Sequence, residues 1–420
     1  MTKEADKAGG AEFFSAYSQE ILRHTGQHGL PLFFSGGSAL AGVSRLLARS
    51  LIPSVHIITP FDSGGSSAKL RQAFNMPAVG DIRNRLLCLA QVEVVGKALP
   101  ELCAMRFDVS DSASALKAEL KDLAVGEHAA MRRLSSDARE QVQLNFASVM
   151  AALPASFDLR GASVGNLLLT GAYLRHGRDF NAAVQDFSHL LEIVGEVRPI
   201  VDQSLHLCAR LEDNSLVLGQ HLITGKEVPA LGQPIKEIFL TKAQPCADGQ
   251  AGAAVPDENR DWAVALPTPA RVYLDRVVLK HIVAAPLICF PMGSFYSSVV
   301  ANLLPEGVGR AISQARCPKV YVPGAGEDPE AQGLSVAERV LVLLRTLRKD
   351  AGANVPVHHL ISHVFIDKDL HYPAGVEAEK LKKMNIAVAE VQLLDRRFSK
   401  DSYSPQYFLE ALAELVAIEA

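Results

Sequence analysis

The chain has 420 residues, 48% hydrophobic and 21% charged, with a formal net charge of -4. So much apolar surface excludes a mainly disordered chain, and the slightly acidic balance excludes a global basic field for nucleic acid or anionic lipid. The longest apolar run, Ile282 to Phe290, has nine residues, against the roughly 20 that cross a bilayer.

The opening MTKEADKAGGAEFF carries charges of both signs and lacks the apolar core of a signal peptide. The first predicted strand is Leu30 to Ser35. Gly36-Gly37-Ser38 follows, then an amphipathic helix in which Leu40, Val43, Leu46 and Leu47 recur at helical spacing. A second strand runs from Val55 to Thr59. Strand, glycine turn, helix and strand together predict a right-handed crossover and a parallel sheet. Asp62 to Gly80, rich in Gly, Ser and Pro, reads as a loop, and Leu86 to Val95 as a buried helix.

Residues 112 to 152 combine helical spacing with alternating charge and predict a helical insertion spanning about 100–155. Helices are expected at 163–175 and 179–192. Leu205 to Leu211 and Leu216 to Ile223 flank Glu212-Asp213-Asn214-Ser215, which predicts an antiparallel hairpin. Residues 242–268 form a polar loop. Strands at 287–291, 319–323, 363–367 and 386–394 then alternate with helices at 270–283, 296–304, 335–350, 376–384 and 405–418. The fold class expected is α/β: one elaborated domain over 1–420, with a doubly wound, mostly parallel Rossmann-like sheet. Cys88, Cys103, Cys208, Cys246, Cys289 and Cys317 form no CxxC pair and mostly sit in apolar runs. They predict reduced thiols in a cytoplasmic protein.

Three consecutive segments suit anions or metals. Gly36, Gly37 and Ser38 precede a helix N-terminus, whose unpaired N–H groups and partial positive charge favour phosphate. The same turn also serves as a plain strand-to-helix connection. At the second strand's end, Asp62 suits a ribose hydroxyl or a metal. Gly64, Gly65, Ser66 and Ser67 offer amides and hydroxyls to phosphate oxygens, and Lys69 and Arg71 add charge. The third segment, Gly80 to Arg85, brings Asp81, Arg83 and Asn84; there Asp81 is otherwise a first-turn helix acid. Downstream, Ser163, Gly165 and Asn166 open a helix, as do Gly293 and Ser294, with Ser297 and Asn302 close behind. Both are compatible with ligand contact or simple capping.

These blocks resemble the CofD/YvcK family, which includes 2-phospho-L-lactate transferases and YvcK-type gluconeogenesis factors. Gly36-Gly37-Ser38-Ala39 is similar to the family's GGTG, with Ala39 in place of its last glycine. Phe61 to Arg71 is similar to DDGGSSGRLR, Gly80-Asp81-Ile82-Arg83-Asn84 to GDIRN, and Phe157 to Leu167 to FDFRNHSIGNL. Pro291 to Ser298, with Asn302-Leu303-Leu304, is similar to GPGSLYTSIIPNLL. The resemblance implies a nucleotide-binding protein that moves a phosphate-linked group from a nucleoside diphosphate-type donor to a hydroxyl acceptor. It implies Asp81 as the Mg²⁺-holding catalytic acid, assisted by Asp62. The alternative it implies is a non-catalytic sensor of a UDP-sugar or other nucleotide. The partner expected is a nucleotide or nucleotide-linked small molecule, not nucleic acid or membrane; a homo-oligomer is compatible with this reading.

Other candidates carry less. His359 and His363 have i,i+4 spacing but no intervening Glu and lead into a strand, so a metal is not expected there. His206 and His221 flank the hairpin and read as structural. The missing GxGxxG argues against a dinucleotide oxidoreductase.

Overall fold

The computed structural model describes residues 29–225, 231–244, 267–397, 399 and 402–419. Most of the polar loop at 242–268, together with Cys246 and the opening segment, lies outside the described residues. Ten strands are described: β1 (Leu32–Ser35), β2 (Ser54–Ile58), β3 (Gly195–Pro199), β4 (His206–Leu211), β5 (Leu216–Leu218), β6 (Ile235–Thr241), β7 (Ile288–Phe290), β8 (Lys319–Tyr321), β9 (His363–Asp367) and β10 (Ala387–Val391).

Strands β1, β2, β7 and β8 are buried at every residue. Burial along the whole length of a strand, with apolar residues predominating, is what a parallel sheet covered on both faces imposes. Seven strands form one sheet in the order β10-β9-β8-β7-β1-β2-β3. The pairings of β1 with β7, β7 with β8, β8 with β9 and β9 with β10 are parallel, with Leu32 opposite Ile288 and Ile288 opposite Lys319. From β1 the chain passes to β2 on one side, while β7 lies on the other, so β1 and β7 flank a topological switch point. Open α/β sheets bind ligands outside the carboxyl ends of strands at such points.

The predicted hairpin forms: β4 pairs antiparallel with β5 and with β6 in a separate three-stranded sheet. The second hairpin strand stops early. Gly219, at φ +113°, breaks it, and Gln220–Ile223 is a helical turn.

Two further expectations need correction. Residues 62–80 are not all loop, because Gly65–Phe74 is a helix in which Leu70 and Phe74 bury the same face one turn apart. Its Gly-Ser opening conceals that periodicity. The next helix is Gly80–Leu89, and Val92–Val95 is a separate short helix with no buried residue. Helices at 270–283 and 296–304 are also adjusted. The first begins at Arg276 behind the Asp275 cap, and the second is a π-helical turn, Phe295–Val299, followed by a 3₁₀ turn. The other predicted helices form close to their expected bounds.

The chain divides into two compact units. The first holds the described residues up to Ile57, Val194–Glu196 and those from Val272 on; the second holds those of Ile58–Ile193 and Val197–Arg271. The first unit's core joins Phe33, Val43, Leu47, Cys289, Val320, Phe365, Phe408 and Leu412. In the second unit, the helices Ala113–Val125 and Ser136–Ala152 form the predicted helical insertion. The helix Val164–Arg175 is buried from Val164 to Tyr173, and Leu120, Phe146, Leu167 and Phe187 belong to its core. Cys88, Cys103, Cys208, Cys289 and Cys317 are free thiols. No helix among the described residues is long and apolar enough to cross a membrane.

Candidate functional site

In the second unit, three helix starts converge. The first follows β2. Half-buried Asp62 accepts the Gly64 N–H at Oδ1 over 3.0 Å, forming a tight turn, and Gly65 enters the helix at φ +46°. Ser66 and Ser67 are buried just inside it. The second start is Gly80. A Cβ there would lie 2.5 Å from Ser67 Oγ and 2.6 Å from Asp62 Oδ2, so any side chain at this position would push both of those polar ends aside. Asp81 is its first-turn acid, and Asn84 lies one turn on; both are half-buried.

The third start is Ser163. Its Oγ caps the helix by accepting the Asn166 N–H at 3.3 Å, and its own N–H donates to Ser66 Oγ at 3.0 Å. Arg83 ties this start to the second by donating from Nη1 to Ser163 Oγ at 3.1 Å and to the Cys103 carbonyl at 3.4 Å. Gly165 permits the packing, since a Cβ there would lie 2.4 Å from the Cys103 oxygen. Burial first, and then the charge of Arg106, lowers the Arg83 pKa; Asp81 and Asp62 act in the opposite sense. Asn166 is only 3% exposed, and its Oδ1 has no hydrogen-bond partner. A buried acceptor left unmet is costly, and in a native fold it calls for an explanation such as a water, an ion or a ligand.

Arg71 is placed differently from Arg83. Its guanidinium donates to the carbonyls of Phe61 and Asp62 at 3.3 and 3.1 Å, and to the Leu205 carbonyl, and Nη2 lies 3.2 Å from His206 Nε2. It holds the Asp62 turn from behind. Burial lowers its pKa to about 10, against the pull of Asp62. Lys69 forms a half-exposed ion pair with Asp158 at 3.1 Å.

The first unit holds the other predicted turns. Gly36 is buried, Gly37 half-buried and Ser38 exposed, ahead of the helix Ala41–Arg49. Across the switch point, Gly293 and Ser294 are half-buried. Ser297 is fully buried and gives both its N–H (2.8 Å) and its hydroxyl (2.5 Å) to Glu330, while the Phe295 N–H donates to Asp328 Oδ2 at 2.7 Å. Glu330 therefore takes the Ser297 donors that the sequence assigns to a ligand. Burial, with Asp328 beside it, pushes the Glu330 pKa up to about 7. Asn302 donates to the carbonyls of Ser35 and Ser298 at 3.2 and 2.7 Å, bracing the two turns together.

Sequence reasoning missed Asp328 and Glu330, which lie in a stretch without periodicity. It also missed Ser63, whose Oγ lies 2.8 Å from His221 Nδ1. Among the described residues, no group of three or more His, Cys, Asp or Glu side chains could hold a metal ion. Mg²⁺ does not need such a group, because it is commonly bound by one or two carboxylates together with substrate phosphates and water. Asp62 and Asp81 supply hard oxygen donors of that kind.

The family model described as 2-phospho-L-lactate transferase CofD matches residues 32–394. The gluconeogenesis factor of Bacillus subtilis is 26% identical over 370 residues, covering 86% of this chain and 90% of its own. The gluconeogenesis factor of Halalkalibacterium halodurans is 26% identical over 314 residues, covering 74% and 71% respectively. A crystal structure of a UPF0052 family protein from Bacillus halodurans superposes with a TM-score of 0.63 at 23% identity, covering 90% of this chain and 98% of that one. At that identity the likeness concerns the fold.

Proposed function

Because the chain belongs to the CofD family, we propose that it binds a nucleotide-linked phosphate ester at the three converging helix starts and transfers the phosphate-linked group to a hydroxyl acceptor. The observation that carries this reading is the assembly of Asp62, Ser67, Gly80, Arg83 and Ser163 around contacts that span the second unit, with the Asn166 oxygen buried and unmet. The amides and hydroxyls of Gly65 to Ser67 suit phosphate oxygens, the Gly64 amide being taken by Asp62, and Arg83 adds positive charge. Asn166 Oδ1 suits a ligand N–H or O–H. In the first unit, taken by itself, Gly36, Gly37, Ser38, Gly293 and Ser294 form a separate candidate for phosphate contact.

Asp81 and Asp62 would hold Mg²⁺, which when bound neutralises diphosphate charge and stabilises the departing phosphate. The acceptor oxygen bonds to phosphorus as the P–O bond to the leaving nucleoside monophosphate breaks; the leaving phosphate takes that bond's electron pair, and the acceptor's proton passes to solvent water. Preorganised donors aimed at phosphate oxygens suit that redistribution of charge.

The test is native mass spectrometry with nucleoside di- and triphosphates and nucleotide sugars, with and without Mg²⁺, followed by assay of nucleoside monophosphate release. The expected result is Mg²⁺-dependent binding and release, with release falling at least a hundredfold in Asp81→Asn. That variant keeps the shape of the first-turn side chain but loses its charge. Tight binding without release across donors and acceptors would instead favour a nucleotide sensor.

A further inference from the structure

The turn Asp62-Ser63-Gly64 is gripped at two points by the antiparallel part of the second unit. One grip is Arg71, which bridges the Phe61 and Asp62 carbonyls to Leu205 and His206. The other is Ser63 itself. Its buried Oγ accepts the His221 backbone N–H at 3.2 Å and lies 2.8 Å from His221 Nδ1.

Oγ keeps its own proton and a second lone pair, so it can pair with Nδ1 as donor or as acceptor while it accepts the backbone N–H. Gly219 makes the approach possible. It sits at φ +113°, and a Cβ there would lie 3.2 Å from Ser63 Oγ and 3.1 Å from His221 Cε1. The helical turn Gln220–Ile223 is therefore a platform fitted to Ser63, not a plain continuation of the hairpin.

We propose that His221 is a positioning residue: its Nδ1 orients the Ser63 hydroxyl and so fixes the Asp62 carboxylate and the Gly65–Ser67 amides in the geometry that receives phosphate. The ligand half of this proposal rests on the function proposed above; the loop-ordering half does not.

The test uses the full chain and two measurements. Hydrogen exchange of the 62–67 amides is read on the protein alone, and calorimetry is read with GDP and with UDP, each with Mg²⁺. In folded His221→Ala, exchange at 64–67 should rise at least tenfold and nucleotide affinity should fall at least tenfold. Ser63→Ala should do the same and add little to His221→Ala. His221→Asn places an amide oxygen or nitrogen where Nδ1 was, able to accept or donate, and should restore both readouts. His221→Gln, which imitates the other ring nitrogen, should restore neither. A general structural loss would not separate Asn from Gln. Unchanged exchange in His221→Ala, or equal behaviour of Asn and Gln, would overturn the positioning role. If wild type binds neither nucleotide while the exchange pattern holds, the ligand reading fails and the positioning pair stands.

Discussion

Gly36 and Ser298 approach so closely across the β1–β7 switch point that a Cβ on Gly36 would lie 2.2 Å from Ser298 Oγ and 2.7 Å from its Cβ. The hydroxyl can rotate away, but the Cβ cannot. The glycine is required here by contact within the first unit, before any ligand is considered.

Gly36→Ala is therefore expected to lower unfolding free energy by about 1–3 kcal/mol, the usual cost of overpacking. Ser298→Gly in the same chain should recover much of that loss. Denaturant unfolding of the two single variants and the double variant tests the coupling; additive losses would show that the contact does not limit Gly36.

Gly80→Ala separates stability from binding in the opposite way. Alanine favours a helix over glycine by about 1 kcal/mol, yet the new Cβ would displace Asp62 Oδ2 and Ser67 Oγ. The expected result is near-unchanged thermal stability with at least tenfold weaker Mg²⁺-dependent nucleotide binding by calorimetry. Unchanged affinity in Gly80→Ala would remove Asp62 and Ser67 from the ligand site.

Two buried groups pull stability in opposite directions with pH. Burial, and then the Arg71 charge, lowers the His206 pKa from 6.5 to about 3. The unfolded chain binds more protons at this histidine between those values, so stability is lost as pH falls from about 6.5 toward 3. Glu330 is raised from 4.5 to about 7, so the folded protein binds the extra proton, and its contribution is lost as pH rises from about 4.5 through 7. Denaturant unfolding across pH 4.5 to 8 should show the high-pH loss diminished in Glu330→Gln and the low-pH loss diminished in His206→Gln. Parallel wild-type and variant profiles would contradict both assignments.

Much of the architecture was legible because its signals are local. Apolar runs such as Leu287 to Phe290 mark strands buried on both faces, and the Leu40–Leu47 spacing marks a helix. The break between Leu211 and Leu216 marks a hairpin. The helix Gly65–Phe74 was not legible, because its first turn reads Gly-Ser-Ser, where the buried positions are serines, and only its later half carries apolar buried positions, Leu70 and Phe74. The same composition that suggests a phosphate loop hid the helix beginning inside it.

The amino-acid sequence by itself determined the alternation of strands and helices, the family and the candidate turns at Gly36, Asp62, Gly80, Ser163 and Gly293, since each is written in contiguous residues. Only the tertiary structure decided what those turns touch. It turned the Arg71 guanidinium toward backbone carbonyls, while Arg83 joins two helix starts. It gave Ser297 to Glu330 and set Ser63 against His221. Those partners lie far along the chain, and periodicity carries no information about which distant side chains packing will bring within hydrogen-bond reach. That choice depends on burial, because a polar group removed from water must find its partner wherever the fold places one.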